Sequence, residues 1–226
     1  MTDLLRRIDS SPLWVRALPF LVVLLLTQLQ GRFGPASAFW MYAVKTLAGA
    51  ALLLLWRKKI TEMKWAFSPE ALLVGILIFG VWVGLDGHYP PIPLASKEDG
   101  PGWNPFAVFG DDSPMAWMCV AIRIGGSTLM VPALEEVFYR SMLYRWIARP
   151  DFMNQALGVF AWKPFLVTSF LFGLAHHEWL AGIVCGLAYQ WLVCRKKRLG
   201  DAMTAHAVTN LLLGIWVVWK GAWQFW

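Results

Sequence analysis

The chain reads as an all-α, polytopic bundle of about seven transmembrane helices. Three observations point there. Hydrophobic residues make up 58% of the 226 residues and charged residues only 15%, against roughly 45–50% and about 25% in a soluble domain. Apolar runs recur at close to the length of about 20 residues that crosses a bilayer. The 15 tryptophans belong to the residue type that gathers at membrane–water interfaces.

The elements follow in order. Residues 13–29 form the first predicted span, read as retained rather than as a signal peptide, because no small-residue cleavage site follows it. The second covers 39–56 and is interrupted by Lys45; the third covers 71–85. Residues 86–114 are rich in Pro, Gly and acidic side chains and have no helical period, which predicts a loop with a short interfacial piece around "WNPFAVF". The fourth span, 115–147, is long enough to tilt, project or bend at Pro132. Residues 165–176, 179–194 and 201–219 supply the fifth, sixth and seventh. Ser11, Ser68 and Ser113, each followed by Pro, are expected N-caps, and Asp201 is expected to cap the last helix. No repeat or linker divides the chain, so 1–226 is one membrane domain, with three spans in 1–85 and a four-helix core in 115–219.

Charge sets the orientation. The clusters Arg6/Arg7/Arg16, Arg57/Lys58/Lys59/Lys64, Arg145/Arg149 and Arg195–Arg198 all fall on one side of a seven-span layout. That side is cytoplasmic by the positive-inside rule, which puts the N-terminus inside and the C-terminus outside. The loop carrying Asp86, Glu98, Asp99, Asp111 and Asp112 falls outside. The net charge of +6 is therefore a topological signal and implies no nucleic-acid partner. The bilayer of a cell's inner (cytoplasmic) membrane is the expected surrounding. Cys119, Cys185 and Cys194 show neither CxxC spacing nor a disulfide pattern.

Charged side chains within spans cost about 2.5–3.5 kcal/mol each on insertion scales. Lys45 and Arg123 are read as snorkelling or pairing with a carboxylate. "EEVFYR" (135–140) is different. Glu136 and Arg140 stand one helical turn apart and can pair. Glu135 points about 100° away, without a partner in the motif. Glu136 is thus read as held and Glu135 as free for chemistry, against the plainer reading of a salt-bridge cluster that only locks the bundle. "FGLAH" puts His176 one turn after Phe172, and "HAVTN" puts His206 and Asn210 on one helix face. His177 and Glu178 are read as boundary residues, with His177 in reserve. Glu and His can activate water, and His and Asn can donate to a developing oxyanion. With no placed Ser or Cys nucleophile, water-mediated amide hydrolysis is the natural chemistry. Glu135, His176 and His206 could alternatively ligate zinc, although their spacing is not HExxH.

These motifs, EExxxR, FxxxH and HxxxN in order over residues 115–219, resemble the CPBP (Abi, or CAAX protease-like) family of intramembrane glutamic endopeptidases. That family includes the type II CAAX prenyl endopeptidases. The overall shape is similar to an exosortase-associated bacterial branch. The resemblance implies that Glu135 and His176 activate water, that His206 and Asn210 bind the oxyanion, and that Glu136, Arg140 and Phe172 are structural. It also implies no metal or other cofactor, and a membrane-associated protein or peptide as substrate. Ser141 stands where the family often has Gly. A non-catalytic chaperone, scaffold or immunity protein of the same fold, and a zinc-dependent membrane hydrolase, are the alternatives.

Overall fold

The computed structural model describes residues 3–90 and 102–226, so Glu98 and Asp99 of the acidic loop lie outside the described residues. Nine helices of five residues or more follow one another in the described chain, and no strand occurs there. They are α1 (Asp3–Ser10), α2 (Pro12–Thr27), α3 (Ser37–Trp56), α4 (Pro69–Gly84), α5 (Pro105–Phe109), α6 (Pro114–Ala148), α7 (Trp162–Leu174), α8 (Trp179–Lys196) and α9 (Gly200–Lys220). By length and composition α3, α6 and α9 can each cross a membrane, while α2, α4 and α7 are shorter apolar helices.

The bundle exposes large apolar side chains and buries charged ones within its apolar core. Leu25 (66% exposed), Leu47 (70%) and Leu55 (68%) face outward, whereas Arg16, Glu136, Arg140 and Asp201 are buried. A soluble domain shows the reverse, because water rewards exposed charge. In lipid the outer face can be Leu and the polar groups must find partners within the bundle.

Local chemistry explains three helix starts. Ser11 Oγ accepts from the Trp14 amide and Ser68 Oγ from the Ala71 amide, with Pro at the first helical position in both cases. Asn104 caps the one-turn helix α5, the expected interfacial piece. Two expected caps take other forms. Ser113 makes no side-chain cap bond. Asp201 lies inside α9, where it accepts from Ser68 Oγ at 2.6 Å and pairs with Arg198. The acidic side chain therefore ties α9 to the start of α4 rather than closing its own helix end.

Helix α6 does not break at Pro132. It runs through two wider π turns, 126–130 and 137–143, which flank the Glu135–Glu136 step. The Val131 amide bonds the Gly126 carbonyl, five residues back. In that register the Ser127 carbonyl would need the amide of residue 132, and proline has none. Asn210 Nδ2 takes that orphan carbonyl at 2.8 Å. One missing N–H on α6 thus anchors a side chain of α9.

Glycines set the closest helix approaches. The most extensive helix pairings are α7 with α8 and α4 with α9. A Cβ on Gly182 would stand 2.9 Å from Gly173 Cα, and one on Gly186 2.8 Å from the Ser169 carbonyl oxygen. The run "GIVCG" (182–186) is a small-xxx-small contact face. Gly182→Ala and Gly186→Ala are each expected to destabilise the bundle by about 1–3 kcal/mol, since overpacking forces backbones apart. Thermal unfolding in detergent reads this as a lowered midpoint; an unchanged midpoint for both would show that the α7–α8 contact is slack.

Candidate active site

Glu135, Glu136 and Arg140 come from the middle of α6, Phe172 from the last turn of α7, His176 from just beyond it, and His206 and Asn210 from α9. Phe172, His176, His206 and Asn210 line one cavity of ≈ 160 Å³, together with Trp82, Arg123, Ser127, Cys185 and Thr209 among others. Glu135 is not part of that wall. It stands behind His206, with Oε2 3.9 Å from His206 Nε2 and a side chain 16% exposed.

His206 is only the seventh residue of α9, yet it reaches the depth of Glu135 and Glu136. The reason is that α9 begins below the bundle surface: residues 200–206 are all buried. Thr204 Oγ1 donates to the Ala66 carbonyl at 3.0 Å, so the 57–68 connection lies over the start of the helix. Gly75 lets α4 close onto α9, where a Cβ would stand 2.6 Å from the Ala205 carbonyl oxygen.

Each site residue has a specific neighbour. Glu136 is fully buried and bridges two groups: Oε2 pairs with Arg140 Nε at 3.2 Å and Oε1 accepts from His206 Nδ1 at 3.0 Å. The first contact is the expected one-turn pair. The second was not legible from spacing, because 70 residues separate the partners. Arg140 also donates to the Gly186 carbonyl at 3.4 Å and lies 4.2 Å over the Phe172 ring. Phe172 is wholly buried and touches Arg140, His176 and His206. Tyr189 stacks on His206 with centroids 5.1 Å apart and donates to Thr209 Oγ1 at 2.7 Å. Thr209 in turn donates to the Gly75 carbonyl at 2.9 Å.

His176 stands beyond the helix that the sequence assigned to it, since α7 ends at Leu174. Its Nδ1 lies 2.7 Å from the Phe172 carbonyl, one of the orphan carbonyls at a helix end. A carbonyl can only accept, so Nδ1 carries the proton and Nε2 of the neutral ring is an acceptor. His206 Nδ1 is fixed in the same way by Glu136. For Nε2 of His206 to donate as well, the ring must hold two protons. Glu136 is placed to balance that cation.

Sequence reasoning missed several members of this neighbourhood. Tyr189, Thr209 and Ser127 position His206 and Asn210, and Cys185 shares the cavity wall with both histidines. A signal existed for Ser127, five residues before a proline. His177, the reserve residue, is exposed. Lys45 and Arg123 take no carboxylate partner among the described residues. Lys45 Nζ bonds Thr27 Oγ1 at 3.0 Å and Gln30 Oε1 at 2.6 Å, and Arg123 is held by aromatic rings. Nor are all the topological cations peripheral. Arg16 and Arg145 are buried and converge on Glu62, a residue of the 57–68 connection. Among the described residues, no three His, Cys, Asp or Glu side chains cluster as a metal site.

A helical bundle with a lipid-type exterior and a buried to half-buried Glu–Glu–Arg, His and His–Asn constellation defines a multi-pass membrane protein with an internal polar site. Residues 115–212 match the family model "Type II CAAX prenyl endopeptidase Rce1-like". That stretch of the chain is similar to the CPBP, or CAAX protease-like, family of intramembrane proteases. No curated protein and no solved structure matches the chain.

Proposed function

We propose that this protein is a metal-independent intramembrane glutamic endopeptidase that cleaves a membrane-associated protein or peptide. The observation that carries this reading is the meeting of α6, α7 and α9 at one polar centre, where His206 stands between Glu136 and Glu135. Glu135 takes a proton from water, with His176 Nε2 as the second acceptor; this needs an unpaired carboxylate, and Glu135 Oε2 has no hydrogen-bond partner. Asn210 spends one amide hydrogen on Ser127 and keeps the other for the oxyanion. His206 is the second donor, oriented by Glu136. Glu136 and Arg140 hold the frame. The first 85 residues form the supporting spans, and 115–219 the catalytic core. The membrane proteomes of cells carrying wild-type and Glu135→Gln protein test this directly: a cleavage product lost in the variant supports it, and identical proteomes contradict it.

The seven-span, N-inside topology belongs to the same proposal. The basic groups Arg195 and Lys196 pair with Glu70 at one end of the bundle. Trp82, Phe225 and Trp226, which line the cavity, lie toward the other end, where Gln224 reaches Asp86. With the basic end cytoplasmic, the cavity extends toward the extracytoplasmic leaflet, and substrate enters there. Reporter domains fused to the two termini are expected on opposite sides; both on one side would refute this layout.

A further inference from the structure

Two of the basic clusters differ in how their charge is met. In the 195–198 cluster each cation has a partner. Arg195 and Lys196 pair with Glu70, Arg198 pairs with Asp201, and Lys197 donates to the Gly158 carbonyl. The cluster formed by α1 and the end of α3 is different. Asp9 Oδ1 accepts from Trp56 Nε1 at 3.1 Å and Oδ2 pairs with Lys59 Nζ at 2.6 Å, which pins α1 beside residues 56–59. That contact occupies both Asp9 and Lys59. Arg6, Arg7, Arg57 and Lys58 remain exposed, and among the described residues none of their side chains has an acceptor or a counter-ion. Asp3, the other carboxylate of α1, pairs with none of them.

The helix α1 is two-sided. Leu5 and Ile8 stand about one turn apart on its apolar side, with Arg6 and Arg7 on the other. Ile8 packs against the core, whereas Leu5 is 51% exposed. A helix that shows a leucine on one side and two arginines on the other suits the boundary between acyl chains and headgroups. A crevice of ≈ 290 Å³, lined by Ser10, Ser11, Arg16 and Lys59 among others, opens where α1 meets α2. Ser11 Oγ accepts from the Trp14 amide, so its own proton is left for an incoming oxygen. Arg16 and Lys59 in the crevice wall are already balanced by Glu62 and Asp9. Net positive charge therefore comes from the four unpaired cations around it.

We propose that the corner formed by α1 and residues 57–58 binds the phosphate headgroup of an anionic phospholipid, which rests in this crevice. The proposal goes beyond the endopeptidase reading and does not depend on it. Cations without counter-ions draw anionic headgroups to a membrane surface, and the exposed Leu5 gives the lipid's acyl chains an apolar contact that a free phosphate cannot use. The satisfied 195–198 cluster offers no such excess charge.

The test uses the full-length protein in a neutral maltoside detergent. Its thermal unfolding midpoint is read as phosphatidylglycerol, phosphatidylcholine or inorganic phosphate is added. Phosphatidylglycerol is expected to raise the midpoint by about 3 °C or more, and the other two at equal concentration to move it by less than about 1 °C. Combining Arg6→Gln, Arg7→Gln, Arg57→Gln and Lys58→Gln should abolish the rise, while Arg6→Lys, Arg7→Lys and Arg57→Lys together should keep most of it. Arg195→Gln with Lys196→Gln should leave it unchanged. The double variants Arg6→Gln/Arg7→Gln and Arg57→Gln/Lys58→Gln should each lose part of it, which keeps the test decisive if the fourfold variant does not fold. A rise that survives the fourfold change or both double changes, an equal rise with phosphatidylcholine or with phosphate, or an equal loss in the Arg195/Lys196 variant would overturn the proposal.

Discussion

Glu135→Gln protein, inserted and folded like the wild type, is expected to turn over substrate at least about 10²-fold more slowly. The change is nearly isosteric and removes only the ability to take a proton. It should leave the frame intact, because the buried ion pair belongs to Glu136 and Arg140, 3.2 Å apart, and not to Glu135. On the proposed mechanism Asn210→Ala removes an oxyanion donor and should cost about 10²–10³ in turnover. It also strips the Ser127 carbonyl of its partner, so part of its cost is structural. The contrast is with Glu136→Gln, which leaves Arg140 without a counter-ion in a fully buried site and loosens His206. That variant should lose folded protein as well as rate. Rates per folded molecule, measured after reconstitution, separate the two glutamates.

The largest stability effect is expected at Glu62. Its carboxylate accepts from Arg16 Nε at 2.7 Å and Nη2 at 3.0 Å, from Arg145 Nη2 at 3.1 Å, and from Ser141 Oγ. Arg16 and Arg145 side chains are only 1% and 7% exposed. Glu62→Gln leaves two buried guanidinium groups without a negative partner, and breaking such a pair costs about 3–5 kcal/mol. A fall in folded yield and unfolding midpoint in detergent is the readout; a midpoint equal to wild type would show that the arginines reach water. Burial alone would raise the Glu62 carboxyl, but the hydrogen bonds and charge of Arg16 hold it below its ordinary value of 4.5. A lowered carboxyl stabilises fully above that ordinary value. The contribution is lost as pH falls through the lower folded value, so acid should weaken the wild type and leave Glu62→Gln unchanged in this term. Ser141, where the family often has Gly, belongs to this network and gives that departure a structural use.

Much of this was legible because it is local. The Glu136–Arg140 pair needs only a one-turn spacing. The shared face of His206 and Asn210 needs the same, and both line the cavity. Hydropathy marked the helices because lipid demands apolar exteriors. What escaped was non-local or turned on one backbone atom. Glu62 sits in a connection whose composition says nothing of partners 46, 79 and 83 positions away. Hydropathy cannot show that α6 widens at 126–130 and 137–143, since a π turn changes hydrogen-bond register and not polarity. His176 was read as helical because "FLFGLA" is apolar up to it, yet its ring closes the helix end instead.

The central claim, proposed above, is that Glu135 and His176 activate water without a metal. The direct measurement is turnover of the substrate returned by the proteome comparison, in proteoliposomes, before and after a strong chelator, with Glu135→Gln alongside. The account predicts an unchanged wild-type rate in chelator and a loss of at least about 10²-fold in Glu135→Gln. Activity abolished by the chelator and restored by zinc would contradict it and reassign Glu135, His176 and His206 as ligands.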